Sequence, residues 1–230
     1  MIGIIGGTLF SEAPIFAGAK IECHEGKHGK AFFMRSEKAI FINRHGFGKD
    51  TPPHMINHAA NMEAFRDLGV SYVIGACSVG SMKPEIPLGS IVIPDDYINL
   101  WGITSIFNRE IRHVAPRLSE KLTGILADES LKRGKKPICS GVYFQSSGPR
   151  FETKAEIRMM SQFSDIVGMT MGQEADAAAE AGIEYAAICS ADNYANGIKG
   201  SDVTESEVRR MAGENAASIR DIIFGAMERI

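Results

Sequence analysis

The sequence predicts an α/β fold: one domain over residues 1–230, with helices flanking a mixed, largely parallel central sheet. Three observations predict it. Short β-branched or aromatic runs recur along the chain, helical stretches with legible ends separate them, and the runs are near-continuously apolar, as suits strands buried on both faces.

The first run, IGII (2–5), meets Gly6 and Gly7 at once, and AFFMR (31–35) and AIFINR (39–44) follow. Residues 50–69 then predict a helix with Asp50 or Thr51 as N-cap, prolines in its first turn and Gly69 as its stop. SYVIGAC (71–77), SIVIP (90–94) and ICSGVYF (138–144) supply further strands, and Thr153 with Glu156 opens a helix in capping-box spacing. DIVGM (165–169) leads into an Ala-rich helix closed by Gly182, and YAAICS (185–190) is the last strand. The final helix opens with Thr204 and Glu207, again in capping-box spacing. No repeat, low-complexity segment or linker interrupts the chain.

With 230 residues, 44% of them hydrophobic, the chain can bury a substantial core. A net charge of −3 points to no nucleic-acid partner. No apolar run approaches the ~20 residues of a spanning helix, and MIGIIGGTLF has neither the basic start nor the cleavage site of a signal peptide. A cytoplasmic protein without membrane partners is therefore expected. Cys23, Cys77, Cys139 and Cys189 are widely spaced, with no C-x-x-C pair and no His at ligand spacing, so neither a metal site nor a disulfide framework is expected. Cys77 stands out because it lies at a strand end.

In open α/β sheets, ligands gather beyond the carboxyl ends of the strands. The loops there carry small and polar residues: GGT, NRHG, CSVGS, SSGPRFET, MTMGQE and SADN. Gly6, Gly7 and Thr8 combine close backbone approach with a hydroxyl, which suits an anion as well as a tight turn; the motif is neither G-x-G-x-x-G nor a P-loop. Arg44, with His45 beside it, offers a fork for phosphate or carboxylate, or a salt bridge. Ser78 and Thr170 add hydroxyls, and Thr170 precedes a helix whose N–H groups and dipole favour an anion, although capping is the alternative use. Together Thr8, Arg44, Ser78 and Thr170 would form one oxyanion cradle in a phosphate-using enzyme.

Taken in order, these loops resemble those of the trimeric purine nucleoside phosphorylases and methylthioadenosine phosphorylases, which cleave the glycosidic bond of purine nucleosides with inorganic phosphate. The resemblance rests on IGIIGGT, RHG with PPHMINHAANMEAFRDLGV, CSVGSMKPEIPLGSIVIPDDYI, GPRFET, DIVGMTMGQEADAAAEAGI and ADNYANG, which cover most of residues 1–100 and 138–212. It implies a homotrimer or an assembly of trimers, with phosphate as co-substrate and no cofactor or metal. It places phosphate on Thr8, Arg44, His45, the Ser78 region and Thr170, ribose over Met169, and the purine against Phe151, Glu152 and Asn193.

A 6-oxopurine presents a donor at N1 and an acceptor at O6, and a 6-aminopurine the reverse. Where the adenine-specific branch of the family carries a small hydroxyl residue and an Asp, this chain has Glu152 and Asn193. The pair matches hypoxanthine or guanine, and a mismatch of this kind in a dry polar site is worth ~10⁴-fold. Asn193 would stabilise the departing purine through N7; Asp192 is either a proton relay to N7 or a cap on a neighbouring loop. Glu205, early in the last helix, matches the position that reads a polar 5′ group, with an exposed first-turn acid as the alternative. Phe107 or His113 would cover the sugar from a neighbouring subunit. Leu9 and Gln173 depart from the family pattern beside the ribose and phosphate positions, which keeps 5′-methylthioinosine and 5′-methylthioadenosine as alternative substrates. A catalytically silent nucleoside-binding protein is the alternative from another class.

Overall fold

The structure is a computed structural model that describes residues 1–10, 15–16, 18–48, 50–107, 110–199 and 203–230. Ten strands and five helices alternate along these residues. They are β1 (Ile2–Gly6), β2 (Ile21–Gly26), β3 (Gly29–Arg35), β4 (Ala39–Asn43), α1 (His58–Asp67), β5 (Tyr72–Ser81), β6 (Ile91–Val92), β7 (Asp96–Ile98), α2 (Glu120–Lys132), β8 (Val142–Gln145), α3 (Lys154–Met160), β9 (Ile166–Gly168), α4 (Met171–Ala181), β10 (Glu184–Tyr194) and α5 (Glu205–Met227).

The strands form one mixed sheet in two halves that share β5. In the first half β4, β1, β5 and β10 run parallel, with the β2–β3 hairpin antiparallel at the outer edge. In the second half β7, β8 and β9 run parallel to one another, and β9 joins β5 antiparallel at Gly80 and Ser81. A strand has only two edges. β10 occupies one edge of β5 along its whole length, while β1 occupies the other only as far as Gly75. β9 therefore takes the edge that β1 has vacated. Because β9 runs against β5, the carboxyl ends of β1 and β9 point at each other across residues 76–79.

Two apolar layers sandwich the sheet. Ile5, Val73, Cys77, Tyr185 and Cys189 pack on one face beneath Met62 and Phe65 of α1 and Met171 and Ala175 of α4. Ile4, Ile74, Ala186 and Ile188 pack on the other beneath Leu122 of α2 and Ile219 and Ile223 of α5. The alternation of buried residues along β5 and β10 is the period-2 geometry of strands buried on both faces.

Several helix ends are as the sequence predicts. Thr153 and Glu156 form a reciprocal capping box on α3, Thr204 caps α5, and Gly182 closes α4 in the left-handed region (φ 72°). The helix predicted from Asp50 or Thr51 begins later. Pro52 and Pro53 lead a single 3-10 turn, and α1 starts at His58 with the Asn57 side chain accepting from the Ala60 N–H. The run 90–94 shortens to β6, and 138–144 to β8 with an isolated bridge at Ile138. β2, β7 and α2 have no counterpart among the predicted elements; β2 shows a mostly exposed pattern at the sheet edge and so carries no continuous apolar run.

Candidate active site

The gap on β5 between the ends of β1 and β9 is filled by Arg44, the first residue beyond β4. Its Nη1 donates to the Ala76 carbonyl at 2.9 Å and its Nη2 to the Ile5 carbonyl at 3.0 Å, so the side chain takes up backbone acceptors that no strand pairs. Glu174, in the first turn of α4, accepts from Nε at 2.6 Å and from Nη2 at 3.2 Å. Tyr185 donates its hydroxyl to the same carboxylate at 2.7 Å. Both charges are buried, their side chains 3% and 0% exposed. Burial opposes the Arg44 charge, but Glu174 and the Cys77 thiol beside it hold the guanidinium above its ordinary pKa. These bonds occupy four of its five N–H groups, and the remaining Nη1 proton is available to a ligand.

Gly7, in the turn after β1, sits against this Nη1. A Cβ there would lie 3.1 Å from Arg44 Nη1 and 2.6 Å from the His45 ring, so the close approach requires glycine. The His45 Nδ1 lies 2.8 Å from the Thr51 carbonyl, which makes it the N–H nitrogen and leaves Nε2 as an acceptor beside Gly7. Burial and the charges of Arg44 and Arg209 lower its pKa, against the bond to Thr51. A neutral imidazole next to a cationic fork suits a protonated phosphate oxygen or a sugar hydroxyl.

The third wall is Thr170, the N-cap of α4. Its side chain makes no cap hydrogen bond, and its hydroxyl lies 4.0 Å from Cys77 Sγ. The N–H groups of Thr170 and Met171 donate to the Tyr143 hydroxyl, and that of Gly172 to Gln145 Oε1. Three of the N–H groups expected to hold an anion are thus consumed by two β8 side chains, while the Thr170 hydroxyl is not used as a cap. Thr8 opens the 3-10 turn after Gly7, half-buried.

Ser78 differs from expectation. Cys77 lies on the Arg44 and Thr170 face of β5, with Sγ 3.8 Å from Arg44 Nη2. Alternation puts the Ser78 side chain on the α5 face, where its hydroxyl favours the charged form of Asp192. The cradle therefore comprises Thr8, Arg44, His45, Thr170 and the Cys77 thiol. A hydrogen bond from Cys189, the register partner of Cys77, together with Arg44 lowers the Cys77 pKa against the effect of burial.

Beyond the cradle, β8 and β10 deliver the second group of residues. Glu152 is buried and accepts from the Ser146 hydroxyl. Asn196 donates to the Glu152 carbonyl at 3.3 Å, tying the β10 loop to the β8 loop. Asn193 donates to the Tyr194 carbonyl at 3.0 Å, with its amide over Gly80. Phe151 is 39% exposed, and Met169 packs its sulfur against Gly148. Asp192 is 1% exposed; burial raises its pKa to about 6, with hydrogen bonds from Ser190 and Ser78 opposing.

Glu205 is 71% exposed and pairs with Arg209 at 2.7 Å, one turn on, so its carboxylate is used on the helix surface. Phe107 packs against its own chain's core and lies under the Arg112 guanidinium, while its N–H bonds Glu180. His113 is exposed. Glu174, Tyr185, Tyr143 and Gln145 were not singled out in the sequence; Tyr143 and Gln145 show only as polar-tipped residues two apart on one strand. A cavity of about 450 Å³ lies elsewhere, lined by Arg117, Ser119, Lys121 and Glu184 at the amino end of β10, away from the ends where β1 and β9 meet.

The family model of the phosphorylase superfamily matches residues 1–227. A probable 6-oxopurine nucleoside phosphorylase of Archaeoglobus fulgidus is 43% identical, over 100% of this chain and 97% of its own. A probable S-methyl-5′-thioinosine phosphorylase of Methanocaldococcus jannaschii is 34% identical, over 97% of this chain and 90% of its own. Among solved structures, the methylthioadenosine phosphorylase from Schistosoma mansoni in complex with adenine superposes with a TM-score of 0.87 at 22% identity, covering 99% of this chain and 91% of that one.

Glu174→Gln leaves the buried guanidinium without its counter-charge, and the expected loss of stability is about 3 kcal/mol, read from urea unfolding. An unchanged midpoint would count against the pair as a structural anchor. Asp192 holds its proton more tightly folded than unfolded, so its contribution to stability is present below pH 3.8 and is lost as pH rises through about 6. Asp192→Asn should therefore gain on the parent by up to about 3 kcal/mol between about pH 4 and about pH 8. A difference that stays constant with pH would refute the shift.

Proposed function

The chain belongs to the phosphorylase superfamily, and from that membership and the geometry of the cleft we propose that this enzyme cleaves purine nucleosides with inorganic phosphate, giving the free base and (deoxy)ribose 1-phosphate, with 6-oxopurines preferred. The observation that carries the reading is an anion cradle around Arg44 together with the buried acceptor Glu152, whose backbone is tied to the β10 loop that carries Asn193.

In the proposed reaction, phosphate takes the remaining Arg44 N–H and the Thr8 and Thr170 hydroxyls, with His45 Nε2 accepting its proton. As the C1′–N9 bond lengthens, the sugar gains positive charge and the purine negative charge. The phosphate stabilises the first electrostatically and then forms the new C1′–O bond, while the bonding electrons leave with N9. Glu152 accepts from N1–H, and Asn193 donates to O6 or N7. Inorganic phosphate is the co-substrate, and no further cofactor takes part.

A second reading, a 5′-methylthioinosine phosphorylase, is favoured by one observation. The Glu205 carboxylate is paired on the surface with Arg209, which leaves it less free to read a polar 5′ group. The reading extends to a cytoplasmic role in purine salvage and to a homotrimer or an assembly of trimers. Leu100, Trp101, Ile103 and Ile111, all exposed in the segment after β7, offer an apolar surface to a second copy.

Hypoxanthine release from inosine should require phosphate; release without it would make the enzyme a hydrolase, and binding without turnover would make it a silent binder. Parallel assays with inosine, 5′-methylthioinosine and 5′-methylthioadenosine separate the two readings. Asn193→Asp should move the kcat/KM ratio toward 6-aminopurines by about tenfold or more, and an unmoved ratio would remove Asn193 from base selection.

A further inference from the structure

Strand β10 carries a bulge at the point where it reaches the cleft. Ala191 pairs with Val79 and Asn193 with Gly80, so Asp192 is an extra residue with no partner on β5. Were Asp192 paired with Gly80 instead, Asn193 would stand opposite Ser81, and its side chain would point to the other face of the sheet. The bulge therefore decides which face the Asn193 amide serves.

The groups that hold the bulge form a directed chain from α5. Asn215, 7% exposed, donates from Nδ2 to Ser190 Oγ at 2.7 Å and to the Gly89 carbonyl at 3.2 Å, which uses both of its amide protons. Ser190, having accepted, donates its own proton to Asp192 Oδ1. On the other flank, the Gly89 N–H donates to the Ala191 carbonyl and the Ala191 N–H to the Ser90 carbonyl. One side chain on α5 thus grips both walls around the bulge. Asp192 Oδ2 is buried without a partner, so Asp192 depends on Ser190 for its side-chain hydrogen bond.

We propose that Asn215 is a positioning residue for base selection: acting through Ser190 and Asp192, it locks the β10 bulge that presents Asn193 to the purine. The role rests on the reading of Asn193 given above and extends it to a residue that touches no substrate. Only a side chain with two donors and no charge fits between a carbonyl, a hydroxyl and a buried acid. A carboxylate there would repel both the Gly89 carbonyl and Asp192.

The test is Asn215→Ala in the full chain, with Ser190→Ala and the double variant beside it. Amide hydrogen exchange across residues 190–194 should be faster in each single variant, and equally fast in the double variant because the two side chains act in series. The ratio of kcat/KM for inosine over adenosine should fall about tenfold, with KM for phosphate unchanged. Unchanged exchange overturns the proposal whether or not the enzyme turns over nucleosides. So does an equal loss of activity on both substrates, which marks a structural role only. Absence of phosphorolysis in the parent chain would instead overturn the functional reading and leave the exchange result to decide the lock. Should Asn215→Ala fail to fold, Ser190→Ala carries the same pair of readouts.

Discussion

The buried ion pair between Arg44 and Glu174 ties the ends of β4, β1 and β5 to a helix from the other half of the sheet. Arg44 extends from β4, donates to carbonyls of β1 and β5, and reaches a carboxylate on α4, which follows β9 in the second half of the sheet. Two desolvated charges are costly unless every donor and acceptor is matched. Here the carboxylate receives the guanidinium and the Tyr185 hydroxyl, and the guanidinium fills the backbone gap left where β1 stops. The same pair that closes the sheet also aims a single N–H at the cleft, so stability and anion recognition rest on one residue.

The cradle follows from strand direction. In a uniformly parallel sheet the loops after β1 and β9 would lie side by side at one edge. Because β9 is antiparallel to β5 and occupies the edge that β1 leaves, the two loops meet head on over Cys77. Gly7 and Thr170 thereby reach the same point from opposite sides, and the N–H groups of α4 are turned onto Tyr143 and Gln145 of the adjoining strand.

The residues assigned to the base come from different halves of the sheet, Glu152 after β8 and Asn193 from β10. Asn196, in the loop after β10, bonds the Glu152 carbonyl, and Asn215 holds the bulge from behind. Asp192 belongs to this support. Its carboxyl is turned toward α5, where Ser190 bonds it, and its backbone provides the extra residue of the bulge. The acid and the amide that stand side by side in ADNYANG have separate tasks because the bulge takes Asp192 out of the pairing that places Asn193 opposite Gly80.

Local signals in the sequence determined the α/β class, the caps at Thr153, Thr204 and Gly182, and the loops that carry Thr8, Arg44, His45, Thr170, Glu152 and Asn193. Each depends on residues near one another in the chain: apolar runs, capping spacing, small residues after strands. Tertiary structure alone decided which face of β5 meets the cleft, putting Cys77 there in place of Ser78. It also decided that Glu174 and Tyr185 would anchor Arg44, and that Asn215 would stand behind Asp192. Those outcomes turn on strand direction, register and the bulge in β10, which are set by pairings between residues 11 to 130 positions apart, beyond what any local pattern encodes.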